Sequence, residues 1–230
     1  MNCSYIMSHQ EIKLLLFSLG YTQVAGLPLT DASVGTNESI TVLNNLYKNN
    51  LLTRSKNRFA VESRLKRIIN IIGQSEDFFL INSSNPELPN LSCYKSGDEI
   101  VLCSVVMSKS ESIKLSLLHK DCFYEMLTDD NYLPNGNSFD AFDEEQLVEF
   151  EKAIRYKFNV LEVLPEDSKV VFKVSRCNRD GEVLSEIAVI NYYLYNYLVI
   201  TECDSQKRLL YTSELIKDLF EKYIVNKVLI

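Results

Sequence analysis

The residue types that could carry out chemistry are few, and their spacing does not favour it. The 230-residue chain has two histidines, His9 and His119, and six cysteines: Cys3, Cys93, Cys103, Cys122, Cys177 and Cys203. No two cysteines form a CxxC pair and neither histidine stands at zinc-ligand spacing from them, so no metal is expected. A nucleophile–base pair would need His119 beside Cys177 or Cys203 with an orienting acid, and no local context supplies one. There is no Walker loop, GxGxxG or HExxH, hence no cofactor is expected. Residues 129–143, DDNYLPNGNSFDAFD, are rich in Asp and Asn, but the calcium-loop spacing D-x-[DN]-x-[DN]-G fails at Leu133 and Pro134. The expectation is a protein without catalysis.

Two groupings suit recognition instead. Arg54, Lys56, Arg58, Arg64, Lys66 and Arg67 form the one basic cluster; residues 1–73 balance to +4 and the remainder to −11, −7 in all. Such cations would neutralise phosphates and make binding salt-dependent. Against that, Arg64, Lys66 and Arg67 flank the apolar face of an amphipathic helix, where solvated charge is ordinary. The helix NESITVLNNLYKNN before them offers few side chains of the kind that read bases, apart from its asparagines. The second grouping is INYYLYNYLVI, in which alternation puts Tyr193, Tyr195 and Tyr197 on one strand face, with Tyr192 on the other. An exposed tyrosine row would be a protein-binding surface; the same residues would equally pack a strand beneath helices.

The elements that must position these groups follow from pattern. A 46% hydrophobic, 24% charged chain is ordinary for a soluble globular protein. No run approaches the roughly 20 apolar residues of a membrane span, and the first residues lack the basic start of a signal peptide. Cytoplasmic location with reduced, mostly buried thiols is expected. Ser8-His9-Gln10-Glu11 reads as a capping box opening a helix to about Leu19. Gly26-Leu27-Pro28-Leu29 is expected to tuck onto the surface. A second helix over 38–49 would turn Ile40, Leu43, Leu46 and Tyr47 inward. A two-stranded hairpin around 51–61 and a third helix stopping at Gly73 complete a winged-helix-like segment. Strands are expected at 78–81, 100–107 and 113–118, with Lys109, Ser110 and Glu111 in the exposed turn Ser108–Ser112. A helix over 143–156 leads to strands at 170–175, 183–190, 195–201 and 208–211, then a helix over 213–223 and the apolar tail Val225–Ile230.

One internal echo organises this list. LLHKDCFYEML at 117–127 and LLYTSELIKDL at 209–219 each read as a strand end, a cap (Asp121, Ser213) and a helix with an i,i+4 apolar pair. The fold class expected is therefore α+β: an antiparallel sheet with flanking helices in two pseudo-repeated helix–strands–helix halves, 1–128 and 144–230. The connecting loop is 129–143, and the halves are expected to form one compact domain.

The segment 11–76 carries a further pattern: LLLFSLGY, then GLPL, then a helix ending LYKNNLLTRSKNRFAV, then SRLKRIINIIGQSEDFFLI. This order resembles the EspG-like chaperones of type VII secretion systems, which share a leader helix, such a passage, and two related α+β halves around an antiparallel sheet. Asn49-Asn50 stands where the actinobacterial members commonly have Gly, and the chain is rich in Asn, Lys and Ile, so it looks more like a low-GC bacterial relative. The resemblance implies a cytosolic chaperone that keeps a helical-hairpin export substrate soluble and helps deliver it to the secretion ATPase. Candidate contacts are Lys109, Ser110 and Glu111, the Tyr193, Tyr195 and Tyr197 row, and the tail including Val228 and Leu229. A winged-helix DNA-binding regulator with an α+β effector domain, and an immunity-type partner protein, are the alternatives.

Overall fold

The computed structural model describes residues 3–27, 29, 35–55, 58–135, 168–192, 195–202 and 205–225. The fold is α+β, an antiparallel sheet with flanking helices, as the sequence suggests. By its contacts the chain falls into two units: Met1–Ile81 with Pro89–Phe123 and Arg176–Glu182, and Asn82–Leu88 with Tyr124–Ser175 and Val183–Ile230.

In the first unit, strand β1 (Cys3–Ser8) runs straight into helix α1 (His9–Ser18). The expected capping box closes the junction. The Glu11 amide donates to Ser8 Oγ at 3.2 Å and the Ser8 amide donates to Glu11 Oε2 at 2.8 Å. Helix α2 (Thr36–Lys48), the hairpin β2 (Leu52–Ser55) and β3 (Arg58–Val61), and helix α3 (Ser63–Gln74) follow. Strands β4 (Asp77–Ser83), β5 (Leu91–Ser96), β6 (Glu99–Val106) and β7 (Lys109–His119) then form the sheet, ordered β1-β7-β6-β5-β4. The helices bury one face each on it: Ile12 and Leu15 of α1, Leu46 of α2, and Leu65, Ile68, Ile69 and Ile72 of α3 pack with Val101, Ile113 and Leu115. Ser92 and Tyr94 hydroxyls hold the preceding loop by donating to the Gly26 and Ala25 carbonyls.

Several expectations need correction here. Strands β1 and β5 are not foreseen, because their pairing partners are remote in sequence or lack strict alternation. Gly73 does not stop α3, which continues to Gln74; the Tyr21 ring lies so close that any Cβ at 73 would collide with it. On α2, Val42 and Leu46 are buried, Leu43 is partly buried, and Ile40 and Tyr47 face solvent. The β6–β7 turn is Met107-Ser108 alone, so Lys109, Ser110 and Glu111 begin strand β7 instead of forming the tip.

Beyond β7 a 3-10 turn (Lys120–Cys122) leads into helix α4 (Phe123–Asp129). Asp121 lies within that turn, and its amide donates to His119 Nδ1 at 3.4 Å, so the expected Asp121 cap is replaced by His119. In the second unit, strands β8 (Lys169–Asn178), β9 (Val183–Tyr192), β10 (Tyr195–Glu202) and β11 (Ser205–Leu210) are ordered β8-β9-β10-β11. Helix α5 (Ser213–Phe220) is capped by Thr212, whose hydroxyl accepts from the Leu215 amide at 3.1 Å; the expected cap, Ser213, is one residue too late. A π-turn (Glu221–Val225) continues it. Phe172 packs on Phe220 with ring centroids 5.9 Å apart, and the Ser185 and Tyr223 hydroxyls are hydrogen-bonded at 2.7 Å in the interior. The expected helix over 143–156 lies outside the described residues.

The β8–β9 turn belongs to the first unit and is built as the Asn-Arg-Asp-Gly motif demands. Asn178 Oδ1 accepts from the Asp180 and Glu182 amides, and Gly181 takes φ +85. Its arginines anchor it. Arg176 Nε and Nη2 both donate to Asp77 Oδ2, at 2.8 and 2.7 Å, and Arg179 donates to the Gly73 carbonyl at 3.1 Å.

Candidate interaction surface

Several of the described groups that could do chemistry lie in the core. Cys93, Cys103 and Cys177 are buried, and burial pushes the Cys93 and Cys103 thiols up, away from the reactive thiolate. His9 is buried at the start of α1, whereas His119 is half-exposed and its Nδ1 is occupied by the Asp121 amide. Among the described residues no three His, Cys, Asp or Glu side chains gather as metal ligands. No described helix is long and apolar enough to cross a membrane.

The basic cluster divides at Glu62. Arg54 is exposed on β2; Arg64, Lys66 and Arg67 are exposed on α3; the Lys56 and Arg58 side chains lie outside the described residues. Arg67 Nε is 2.5 Å from Glu99 Oε2, and this pair borders an open polar groove of about 370 Å³ also lined by Lys66, Asn70 and Ser96. An exposed pair of this kind is worth about 0–1 kcal/mol. Glu62 itself caps α3, accepting from the Arg64 amide at 3.0 Å and the Leu65 amide at 2.8 Å, and it receives the Tyr5 hydroxyl of β1 at 2.9 Å. Burial alone would raise this carboxyl, but those amides and the Tyr5 and Ser63 hydroxyls outweigh it and hold it at about 2. Burial, then the bond to Glu62, pushes Tyr5 up to about 12.

On the other side of Glu62 the surface is apolar. Ile40, Leu43 and Tyr47 recur at i, i+3 and i+7 along α2, and Ile40 and Tyr47 are 55% and 51% exposed. Phe59 of β3, 52% exposed, meets Tyr47 edge to face with centroids 6.5 Å apart. Arg54 sits directly across the hairpin from Phe59, and exposed Lys48 follows Tyr47. Two half-exposed aromatic rings offer on the order of 200 Å² of apolar surface. Covering it would be worth on the order of 5 kcal/mol before the costs of association. Single exposed apolar residues need no explanation, but a contiguous aromatic and aliphatic group rimmed by cations is a feature of contact surfaces.

This surface is not among the sequence-based candidates. The signal was available in Ile40 and Tyr47, but the apolar arc of α2 is wider than the arc the core can cover, and periodicity does not say which edge stays out. Of the tyrosine row, Tyr195 and Tyr197 lie on β10, and Tyr195 pairs with Tyr192 at the end of β9. Tyr197 is buried at 3% exposure, opposite Ile190 and Leu210. The Tyr193 position, the Tyr195 side chain, and Val228 and Leu229 lie outside the described residues, as do the Ser110 and Glu111 side chains; Lys109 is exposed.

Comparison with known proteins gives a fold and no family. No family model matches the chain, and no curated protein sequence does. A solved structure, the Mycobacterium tuberculosis type VII secretion system chaperone EspG5 in complex with the PE25-PPE41 dimer, is similar over 94% of this chain and 94% of that one. The TM-score is 0.55 and the sequence identity 9%. At that identity the similarity concerns the fold alone: this chain has an EspG-like α+β architecture.

Proposed function

We propose that this protein is a non-catalytic, cytosolic chaperone or adaptor that binds a helical export substrate of a type VII-like secretion system. The observation that carries the reading is the EspG-like fold matched along nearly the whole of both chains, since the neighbour is a chaperone solved on a protein dimer. A helical hairpin with an apolar tip aggregates unless a partner covers it, and an α+β protein exposing apolar side chains on a rigid frame suits that role. Lys109, Ser110 and Glu111 at the start of β7, Tyr193 and Tyr195, and Val228 and Leu229 stay as proposed contacts. Co-expression with the small helical proteins encoded beside it tests the reading: a stoichiometric complex is expected, and failure of all of them to bind or be solubilised would overturn it.

The winged-helix regulator is the second reading, favoured by the α2–hairpin–α3 order and the exposed Arg54, Arg64 and Lys66. It requires salt-sensitive retention of duplex DNA, lost when Arg54, Lys56 and Arg58 are neutralised.

A further inference from the structure

We infer that the α2–hairpin surface of Ile40, Tyr47, Phe59 and Arg54 is a docking site for an acidic amphipathic helix of a protein partner. The inference rests on the chaperone reading for the kind of partner and on local chemistry for the rest. The apolar part is elongated: Ile40, Leu43 and Tyr47 lie along about 10 Å of one helix face, at 1.5 Å per residue, and Phe59 widens one end. A stripe of that length matches the i, i+3 or i+4, i+7 anchors of a single helix laid against it.

Charge selects the flanks of that helix. Between Ser39 and Val61 the sequence holds Lys48, Arg54, Lys56 and Arg58 and no Asp or Glu, although the whole chain is −7. Glu38 and Glu62 bound this stretch, and both are engaged in capping: Glu38 accepts from the Gly35 amide at 3.0 Å, and Glu62 caps α3. Exposed Lys48 and Arg54 thus put positive charge beside the apolar stripe of an acidic protein, which attracts carboxylates locally and disfavours a basic helix. Single-stranded nucleic acid also likes cations beside aromatic rings. Here the two rings meet edge to face at 70°, with an aliphatic stripe in place of further stacking platforms, which favours the helix.

The test uses the full chain and a fluorescent 18-residue helical peptide with leucines at i, i+4, i+7 and i+11 and glutamates flanking them. Lysine-flanked and glutamine-flanked versions and a fluorescent oligothymidine serve as competitors. Anisotropy should rank the acidic peptide at least tenfold above the lysine version. Tyr47→Ala with Phe59→Ser should cost at least tenfold, and Arg54→Glu should reverse the preference, with melting temperatures close to wild type. Should the double variant unfold, Arg54→Glu alone decides. Equal binding of acidic and basic peptides, indifference to both variants, or tighter binding of oligothymidine would overturn the inference. A native helical partner retained in full by the double variant would overturn this site while leaving the chaperone reading standing; absence of any such partner for the wild type would remove the reading itself.

Discussion

Two helices on either side of one hairpin, α2 and α3, have opposite uses. Both are amphipathic and both carry cations nearby. On α3 the isoleucines all point inward, Ile68 and Ile69 being fully buried, and the outward face is charge, one member of it paired with Glu99. On α2 the inward face is only Val42 and Leu46 with part of Leu43, and an isoleucine and a tyrosine are left outside. The difference teaches that charge alone does not locate a surface for binding. The α3 charges are what any helix presents to water, whereas α2 leaves Ile40 and Tyr47 half-exposed. Glu62, between the two in sequence, caps α3 and ties it to β1 through Tyr5.

The contrast can be broken in stages. Ile69→Ala on α3 should cost about 2–5 kcal/mol, read as a fall in the denaturation midpoint, because it opens a cavity in a closed core. Its counterpart Ile40→Ala should leave stability within about 0.5 kcal/mol, while weakening the helical partner. Equal loss of stability from both would mean that the two helices are buried alike.

Glu62→Gln comes next. Removing the charged cap should destabilise by about 1 kcal/mol at neutral pH, which is a drop of roughly 2–4 °C in melting temperature for a chain of this size. The pH dependence has a definite sign. The folded carboxyl titrates near 2, below its ordinary 4.5, so its contribution is complete above about 4.5 and is lost as pH falls toward 2. Wild type should therefore lose its advantage over Glu62→Gln across that window; parallel curves would contradict the hydrogen bonding assigned to Glu62. Arg67→Ala should cost at most about 1 kcal/mol, diminished by salt. A larger loss would show that the α3 face is structural after all.

What the sequence made legible was local. Ser8 and Glu11 announce their capping box because both partners lie within one turn, and α3 announces itself because its apolar period is unbroken from Leu65 to Ile72. The Asp180-Gly181 turn is equally self-contained. Pairing is not local: β1 is recognisable only through its register with β7, Tyr5 opposite Leu115 and Ile6 opposite Lys114. The echo at 117–127 and 209–219 shows how one residue changes an outcome. Thr212 has a hydroxyl to accept the Leu215 amide, whereas the aligned Lys120 has only donors, so the first copy enters its helix through a 3-10 turn and the second starts directly. The candidate surface was illegible for a related reason. Tyr47 and Phe59 are separated by a turn, and nothing in either segment states that their rings meet in the open.

The most direct test of the central claim is light scattering coupled to size exclusion on the protein co-expressed with its small helical neighbours, at moderate salt. A complex of fixed stoichiometry with one helical protein, lost on Tyr47→Ala with Phe59→Ser, is the expected result. Elution of the chain without any protein partner, carrying nucleic acid that high salt removes, would contradict it.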